Sequence, residues 1–333
     1  MRRAIAACGF AALIAMVVGS GSASAAGDRQ DLKNFQHVFV IMMENTGSDT
    51  LIGNANAPFI NSAIANFGFA SNYFGVTHPS QPNYIAITSG STHGVTNDND
   101  VTINVPNVAD QIEASGRTWK SYNQSLSLCN GNLLAHACGN QLYERKHNPF
   151  VSYQDIQTNP ARMANVVDLS QLDADLASGN VPSYSFIDPD QCHDMHGRGG
   201  PSTDTCSFSH VQDLIATGDS FLSEWVGKIQ ASPAWNGNSA IFIQWDEADF
   251  TGSGFNGFGD DSGCCDSVSG QGGGHVVSIV ISHSNHTPAT SDSAYNHYSV
   301  LRTIQEGWRL DCLAFTCDGA NVPDMRALTG PRG

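Results

Sequence analysis

The sequence predicts an α/β protein with a mainly parallel central sheet flanked by helices. Short apolar runs such as HVFVIMM (37–43) and SAIFIQW (239–245) contain few polar residues, as expected of strands buried on both faces. Stretches of helical periodicity separate these runs, and strands that alternate with helices usually form parallel sheets. Two longer segments, 126–165 and 249–274, lack periodicity and are predicted as loops over or beside the ends of the strands.

The individual elements rest on composition and on stop signals. The strands are rich in β-branched and aromatic residues, and several helices are predicted to end at a glycine. In chain order, the predicted elements are strand 37–43, helix 58–68, strand 71–76, a helix from about Pro82 to Gly90, helix 107–116, strand 118–123, strand 181–187, amphipathic helix 218–232, strand 239–245, strand 275–282 and helix 297–308.

The N-terminus, residues 1–26, is predicted to be a secretory signal peptide. Two arginines precede an apolar run that ends at Val18, and Ala23-Ser24-Ala25 fits the small-x-small cleavage rule. We therefore expect cleavage near Ala25/Ala26, a secreted or periplasmic protein, and a single domain over 27–333. The alternative is that this N-terminal segment is retained as a membrane anchor. No later stretch approaches the roughly 20 apolar residues of a membrane span, and we expect no stable membrane anchor.

Eight of the nine cysteines follow the signal peptide, and an even number in an exported chain predicts disulfides. The sequence leaves the full connectivity open, and a zinc site is less favoured because no pair has CxxC spacing. Short loops favour the pairs Cys129–Cys138, Cys192–Cys206 and Cys312–Cys317, whereas the adjacent Cys264 and Cys265 are expected to bond to separate partners.

The chain is strongly acidic. It carries 15 basic and 31 acidic residues, which gives a formal net charge of −16. Such a surface repels nucleic acid and anionic membranes at long range. We therefore expect no nucleic-acid partner, and we expect a monomer.

Polar side chains follow the predicted strands at the points where the strands end. Glu44-Asn45 follow the first strand, and Asp246-Glu247 follow strand 239–245. Because ligands of parallel sheets bind beyond the carboxyl ends of the strands, these residues are expected to converge. Hard oxygen donors suit Mg²⁺, Ca²⁺ or Mn²⁺. Either acidic pair alone is more typical of a solvated turn, so the metal interpretation depends on both.

Histidines and one serine occupy neighbouring strand-end segments. A single histidine is most often structural, but His78, His193 and His196 together indicate anion binding or proton transfer. Ser80 precedes a predicted helix, and two interpretations remain open. It can cap the helix. Alternatively, it can be a nucleophile at a helix N-terminus that favours a phosphate group.

Five segments resemble, in order, the bacterial and fungal phosphoesterase family. This family contains secreted acid phosphatases and bacterial and plant phospholipases C, and it belongs to the alkaline-phosphatase-like superfamily. The resemblance extends over about 35–310. The segments are MMENTGSDTLIG, THPSQPNYIAITSGSTHGV, DPDQCHDMHG, SPAWNGNSAIFIQWDEAD and NHYSVLRTIQ.

The cysteines in the two predicted loops indicate disulfide-pinned loops over the active edge. The resemblance implies an alkaline-phosphatase-like fold and roles for individual residues. Ser80 would be the nucleophile, and His196 would contact phosphate or protonate the leaving group. A divalent cation (Mg²⁺, Ca²⁺, Mn²⁺ or Zn²⁺) would be held by Glu44, Asn45, Ser80, Asp246 and Glu247. Substrate-binding positions would be His78, Asn83, Asn97, His193 and His297, although the helix position of His297 fits a structural role equally well.

These implications predict a secreted, metal-dependent phosphoester hydrolase, of the acid-phosphatase type, that cleaves monoesters through a phosphoserine. A phospholipase C or phosphoinositide phosphatase acting on lipid head groups is the first alternative. The alternative from another class is a non-catalytic module that binds an anion or a metal. The expected partner is a small phosphoester or a phospholipid.

Overall fold

An eight-stranded sheet forms the centre of the fold. The computed structural model describes residues 34–249, 259–265, 272–285 and 287–329. Every side chain of the first strand, VFVIMM, is buried, and because alternate residues point to opposite faces, both faces of the sheet are covered there. In chain order, the strands are β1 (Val38–Met43), β2 (Gly68–Ala70), β3 (Tyr73–Phe74), β4 (Trp119–Asn123), β5 (Ala137–Cys138), β6 (Tyr143–Glu144), β7 (Val166–Asp168), β8 (Tyr184–Asp188), β9 (Ala240–Trp245), β10 (His275–Val276), β11 (Ser278–Ser282), β12 (Ala289–Ser291) and β13 (Tyr295–Asn296).

Helices and short 3₁₀ turns connect the strands. The helix Ser80–Ser89 is buried along its whole length and packs against the helix His297–Trp308, while the helix Pro58–Asn66 packs against the helix Val211–Ala231. The helices are α1 (Ser48–Leu51), α2 (Pro58–Asn66), α3 (Ser80–Ser89), α4 (Val108–Ala114), α5 (Gln154–Gln157), α6 (Pro160–Met163), α7 (Ser170–Ser178), α8 (Val211–Ala231), α9 (His297–Trp308) and α10 (Arg326–Thr329). The 3₁₀ turns are Leu126–Cys129, Arg145–His147, Pro149–Ser152 and Ala314–Cys317.

The central sheet is mainly parallel, which confirms the predicted fold class. The strand order is β12-β2-β11-β9-β1-β8-β4-β7, and among these strands of the described chain only β11 runs antiparallel to its neighbours. Strand β1 pairs in parallel with both β8 and β9. Met43 lies opposite Trp245 at the last position of the β1–β9 pair. The residues that follow, Glu44 and Asp246, therefore leave the sheet side by side.

The predicted strands 37–43, 118–123, 181–187 and 239–245 correspond to β1, β4, β8 and β9. The predicted strand 71–76 is only partly right. Within it, β3 covers two residues and belongs to a separate sheet with β10 and β13, whereas β2, which precedes it, belongs to the central sheet. Gly68, predicted to stop a helix, instead begins β2. A Cβ atom there would lie 2.6 Å from Leu328 O, so the glycine permits the close approach of α10.

The helices follow the predictions more closely. Helix α9 has the predicted bounds, but α8 begins at Val211 rather than at Gly218. Gly218 therefore lies inside a helix, where a Cβ atom would be 2.6 Å from Met195 Cγ. The absence of a side chain lets the loop after β8 pack directly on α8. That loop carries His196, so α8 helps to position the site.

Four disulfides are present in the described residues. The three predicted pairs, Cys129–Cys138, Cys192–Cys206 and Cys312–Cys317, all form. The expectation of separate partners for Cys264 and Cys265 is wrong, since these two bond to each other. The reason is that the other six cysteines in this part of the chain are already paired. Cys129–Cys138 lies in the predicted loop 126–165, in agreement with the prediction of disulfide-pinned loops, and Cys192–Cys206 closes the loop after β8.

The described residues fall in one compact unit that spans 32–333. The predicted signal peptide, 1–26, lies outside the described residues, so its cleavage and the single domain over 27–333 stay predictions. In the part of the chain that the structure describes, every helix is too short or too polar to cross a membrane.

Candidate active site

Three carboxylates of the predicted metal set meet beyond the ends of β1 and β9. Glu44, Asp246 and Glu247 are each 0% exposed. Asp246 Oδ1 accepts hydrogen bonds from the backbone N–H groups of Glu247 (2.7 Å) and Asn45 (3.1 Å). Asn45 has a φ of +40°, a left-handed conformation that asparagine adopts more readily than most residues. The turn after β1 is thereby tied to the turn after β9.

Ser80 is the first residue of α3, and its hydroxyl faces these carboxylates. Its Oγ lies 3.0 Å from Glu44 Oε2 and 3.1 Å from Glu247 Oε1. The N-cap position belongs to Pro79, and no side chain caps the helix. The interpretation of Ser80 as a helix cap is therefore wrong, because its hydroxyl is engaged by the carboxylates.

Asn83 shapes the segment that precedes Ser80. Its Oδ1 accepts hydrogen bonds from the backbone N–H groups of Val76 (2.9 Å) and Thr77 (3.1 Å), and its Nδ2 donates to Thr77 O (2.7 Å). The side chain is 0% exposed. In the structure, Asn83 thus holds the loop that presents the serine, and its role in substrate binding stays a prediction.

The buried carboxylates are electrostatically unfavourable without a cation. Burial raises the pKa of Glu44 and of Asp246 well above the ordinary range, and repulsion from neighbouring carboxylates raises both further. Burial also raises the pKa of Glu247, although its hydrogen bond with His78 opposes this shift. Ionised carboxylates are stable inside a protein only when they are paired or bind a metal.

The available oxygen atoms fit a divalent cation. Glu44 Oε1, Asn45 Oδ1 and Asp246 Oδ2 are buried and have no hydrogen-bond partner among the described residues. Among all the residues that the structure describes, no three His, Cys, Asp or Glu side chains are already arranged to bind a metal ion. A cation here would therefore also need the amide oxygen of Asn45 and the hydroxyl of Ser80. Such an all-oxygen set is typical of Mg²⁺, Ca²⁺ or Mn²⁺ sites.

His78 supports Glu247. Its Nδ1 contacts Glu247 Oε2, and its Nε2 donates to Asp260 O at 2.9 Å. Burial lowers the pKa of His78, but the hydrogen bond and the charge of Glu247 outweigh burial, and the pKa is raised overall. A protonated His78 would hold Glu247 in its ionised form beside Ser80.

Two neighbouring residues that the sequence analysis missed, Lys146 and His147, complete the cluster. Lys146 Nζ lies 3.2 Å from Asp98 Oδ2. Burial lowers the pKa of Lys146, but Glu44 and Asp98 raise it more, so the ammonium stays charged. His147 Nε2 lies 3.1 Å from Glu44 Oε1 without the alignment of a hydrogen bond. Both residues lie in a segment without periodicity, so no sequence signal marked them.

His196 adjoins this cluster through His147, with the two ring centroids 5.9 Å apart. Its Nδ1 lies 2.7 Å from Gly197 O. Because a carbonyl oxygen can only accept, Nδ1 carries the hydrogen and Nε2 has a lone pair. Burial and the charge of Lys146 lower the pKa of His196 to about 3. The ring is therefore neutral in the ligand-free protein at neutral and mildly acidic pH.

The side chains of two further predicted residues make hydrogen bonds to local partners, and their roles in substrate binding stay predictions. His193 Nδ1 lies 2.6 Å from Asp190 Oδ1, and the ring lines a different cavity of about 780 Å³. Asn97 is exposed, and its Oδ1 accepts a hydrogen bond from the N–H of Asn99 at 3.0 Å. The adjacent Asp98 instead reaches α3, where its Oδ1 accepts from the N–H of Gln81 at 2.9 Å.

His297 lies beneath the site. Its Nε2 is 2.7 Å from Asp246 O, and its Nδ1 is 2.9 Å from the hydroxyl of Tyr73. The side chain is fully buried, and burial lowers its pKa to about 4. The structure therefore uses His297 to support the backbone that carries Asp246, and contact with substrate stays a prediction.

Known proteins resemble this chain over most of its length. Residues 54–311 match the Phosphoesterase family. Over 88% of its length, the chain is 28% identical to a phosphatidylinositol-3-phosphatase of Mycobacterium tuberculosis, of which it covers 84%. It is 25% identical, again over 88% of its length, to an acid phosphatase of Aspergillus fumigatus, of which it covers 59%.

Solved structures show the same fold. A protein of the alkaline phosphatase superfamily from Vibrio parahaemolyticus superposes with a TM-score of 0.53 at 13% identity, over 90% of this chain and 71% of that one. The family match includes Ser80 and the Asp246-Glu247 pair, and so covers most of the cluster described above. The chain therefore belongs to the Phosphoesterase family, whose members hydrolyse phosphoric ester bonds, and it has an alkaline-phosphatase-like fold.

Proposed function

We propose that the protein is an exported, metal-dependent phosphomonoesterase of the acid-phosphatase type, with Ser80 as its nucleophile. The position of Ser80 Oγ, 3.0 Å from Glu44 Oε2 and 3.1 Å from Glu247 Oε1 at the start of α3, carries this proposal. A helix N-terminus favours a phosphate group, and the carboxylates can orient the hydroxyl. Similarity to an acid phosphatase supports the monoester, and the disulfides support export.

Five residues would hold the divalent cation, whether Mg²⁺, Ca²⁺, Mn²⁺ or Zn²⁺. When bound, such a cation lowers the pKa of a coordinated hydroxyl and polarises a phosphoryl oxygen. The unpartnered oxygens of three of these residues support the assignment. The five are Glu44, Asn45, Ser80, Asp246 and Glu247.

The reaction proceeds in two steps at Ser80. In the first, Ser80 gives its proton to the adjacent carboxylate of Glu44 or Glu247, and its oxygen attacks phosphorus while the bond from phosphorus to the leaving alcohol breaks. The charged Lys146 offsets negative charge on the phosphoryl oxygens. In the second, water hydrolyses the phosphoserine, which regenerates the serine and releases inorganic phosphate.

His196 moves protons in both steps of this scheme. The charge of a bound phosphate dianion raises the pKa of His196, so that its ring can carry the proton that the leaving oxygen needs. Once neutral, its Nε2 can accept a proton from the water that attacks the phosphoserine. The hydrogen bond from Nδ1 to Gly197 O keeps the ring in the required tautomer.

The test measures release of p-nitrophenol from p-nitrophenyl phosphate by the wild type, Ser80→Ala and Ser89→Ala. Ser89 is the matched control because it is a buried serine of the same helix, whose hydroxyl donates to Ile85 O. We expect Ser80→Ala to lose at least about 1,000-fold in kcat, as when other catalytic nucleophiles are removed, and Ser89→Ala to stay active. Circular dichroism checks that both variants fold.

Three outcomes contradict the proposal. A folded Ser80→Ala variant with wild-type turnover would exclude Ser80 as nucleophile. Full activity after exhaustive chelation would exclude the cation, whereas we expect activity to vanish and to return when one of the four cations is added. A folded wild type that cleaves no ester would favour the non-catalytic binding module.

Hydrolysis of a lipid head group is the second candidate function. The observation that favours it is the 28% identity to a phosphatidylinositol-3-phosphatase, 84% of which is covered. Assays with p-nitrophenyl phosphate, its bis-ester and a phospholipid separate these activities. Cleavage of p-nitrophenyl phosphate alone supports the acid phosphatase, and release of phosphate from phosphatidylinositol 3-phosphate would identify a lipid phosphatase. Cleavage of the bis-ester and phospholipid alone would instead identify a phospholipase C.

A further inference from the structure

A cavity of about 350 Å³ lies beside the candidate active site and shares residues with it. Lys146 and His196 form part of its wall. Asp98 is a third wall residue, and it accepts a hydrogen bond from the N–H of Gln81, the residue next to Ser80. An ester whose phosphorus lies at Ser80 can therefore place its alcohol part in this cavity. The volume is within the range of about 300–1,000 Å³ that small-molecule sites occupy.

Two residues that line the cavity each have one buried polar atom without a hydrogen-bond partner among the described residues. Gln191 is 3% exposed, and its Oε1 has no hydrogen-bond partner in the described part of the chain. The same holds for Arg198 Nε, although the other two guanidinium nitrogens donate to Asn140 O and to Asp204 Oδ2, each at 2.9 Å. One of these atoms is an acceptor and the other is a donor. Leaving both unpaired costs free energy that a hydroxyl-bearing ligand would recover.

The cavity also has an aromatic side chain at its edge. Among the described residues that line it, Phe208 is the one large apolar side chain, and it is 53% exposed. Its ring centroid lies 5.4 Å from that of His196. An acyl chain needs walls that are mostly apolar. A cyclic polyol has an apolar C–H face, which can pack on Phe208, and hydroxyl groups that can reach the polar atoms.

We propose that this cavity binds the leaving alcohol of the substrate and that the alcohol is polyhydroxylated, of the sugar or cyclitol type. The inference rests on the proposed function, because it assigns a substrate class to the same site. The reaction remains hydrolysis. The bond from phosphorus to the alcohol oxygen breaks, the alcohol gains a proton, and water supplies the oxygen of the released phosphate.

The test compares two esters with the same ring size, myo-inositol 1-phosphate and cyclohexyl phosphate, which lacks the hydroxyl groups. We expect the wild type to have a kcat/KM at least about tenfold higher for the inositol ester, since one or two hydrogen bonds to buried groups are worth that much. Glucose 6-phosphate serves as a second polyol ester and should also exceed cyclohexyl phosphate.

Two variants test the residues named. Gln191→Leu removes the unpaired amide oxygen at nearly constant side-chain volume, and Phe208→Ala removes the exposed ring. Gln191→Leu should reduce the ratio of kcat/KM between the inositol and cyclohexyl esters at least about fivefold. Phe208→Ala should lower kcat/KM for both esters, because either ring has an apolar face that packs on Phe208, and unchanged kcat/KM for both would contradict the placement of the alcohol in this cavity. The control is Gln154→Leu, which removes an amide from the exposed start of α5 and should leave the ratio unchanged. Because Phe208 is half exposed, its variant should fold even if Gln191→Leu does not.

The outcomes separate this inference from the proposed function. Equal kcat/KM for the inositol and cyclohexyl esters would overturn the polyol site while leaving the esterase intact. No hydrolysis of any ester by folded wild type would overturn the esterase itself. A short-chain phosphatidylinositol monophosphate identifies the source of the polyol. A preference for this lipid supports a head group, a preference for the free ester supports a soluble metabolite, and both support the polyol site.

Discussion

Between pH 7 and pH 5, the free energy of unfolding should fall by about 2 kcal/mol less in His196→Gln than in the wild type. Burial lowers the pKa of His196 to about 3, from an ordinary value of 6.5. Between these values, the unfolded chain binds a proton that the folded chain does not bind. The contribution to stability is therefore complete above pH 6.5 and is lost as the pH falls towards 3.

The size of this effect follows from the distance between the two pKa values. Each pH unit in this window changes the free energy of unfolding by about 1.4 kcal/mol. At pH 5, about 1.5 units below the ordinary value, the loss is about 2 kcal/mol relative to pH 7. Any folded-state pKa below about 4 gives the same figure, because the folded ring is then neutral at pH 5.

The assay is urea unfolding of the wild type and His196→Gln at pH 5 and pH 7, with excess chelator throughout so that cation binding does not contribute. From pH 7 to pH 5, the wild type should lose about 2 kcal/mol more of its free energy of unfolding than His196→Gln loses. The control His210→Gln should have the opposite effect on the pH dependence of stability. Hydrogen bonds to Ser202 O and Asp213 raise the pKa of His210, so this variant should lose more stability than the wild type between pH 7 and pH 5. Equal pH dependence of the wild type and His196→Gln would refute the reasoning.

Three other changes probe the cation, the phosphate contact and the loop after β8. Asp246→Asn should weaken the binding of the activating cation at least about tenfold, measured by calorimetric titration of chelated protein; unchanged affinity would contradict a ligand role for Asp246. Lys146→Met should lower kcat/KM for p-nitrophenyl phosphate about 10- to 100-fold, the worth of a hydrogen bond to a charged group, and a wild-type value would exclude contact between Lys146 and phosphate. The double variant Cys192→Ser/Cys206→Ser opens a loop with a sequence separation of 14 and should lower the free energy of unfolding by about 3 kcal/mol in urea; an unchanged midpoint would show that the loop is held by packing alone.

The sequence was sufficient to find the residues that follow buried strands. Glu44 and Asp246 are 202 positions apart in number, yet the apolar runs before them identified two strands, and parallel pairing brings their ends together. Ser80 was found for a related reason, since a proline two residues later marked the start of a helix. These predictions depend on short-range patterns, which the fold then converts into proximity.

The missed residues have positions that depend on long-range packing. Lys146 and His147 lie in a 3₁₀ turn, and the ring of His147 stacks on Tyr84 with centroids 5.1 Å apart. No periodicity in the surrounding loop could indicate that contact. His193 illustrates the converse, because it is only three residues from His196, but its hydrogen bond to Asp190 turns it towards another cavity.

The parallel pairing of β1 with β9 also indicates how this protein could be engineered. The candidate cation ligands leave adjacent strands in fixed alignment, with Met43 opposite Trp245, whereas Gln191 and Phe208 lie in the connection between β8 and α8. A mutant library that randomises Gln191 and Phe208, and keeps His196 and the Cys192–Cys206 disulfide of the same connection, should yield catalysts with altered substrate range. Randomising the strand ends should yield inactive clones.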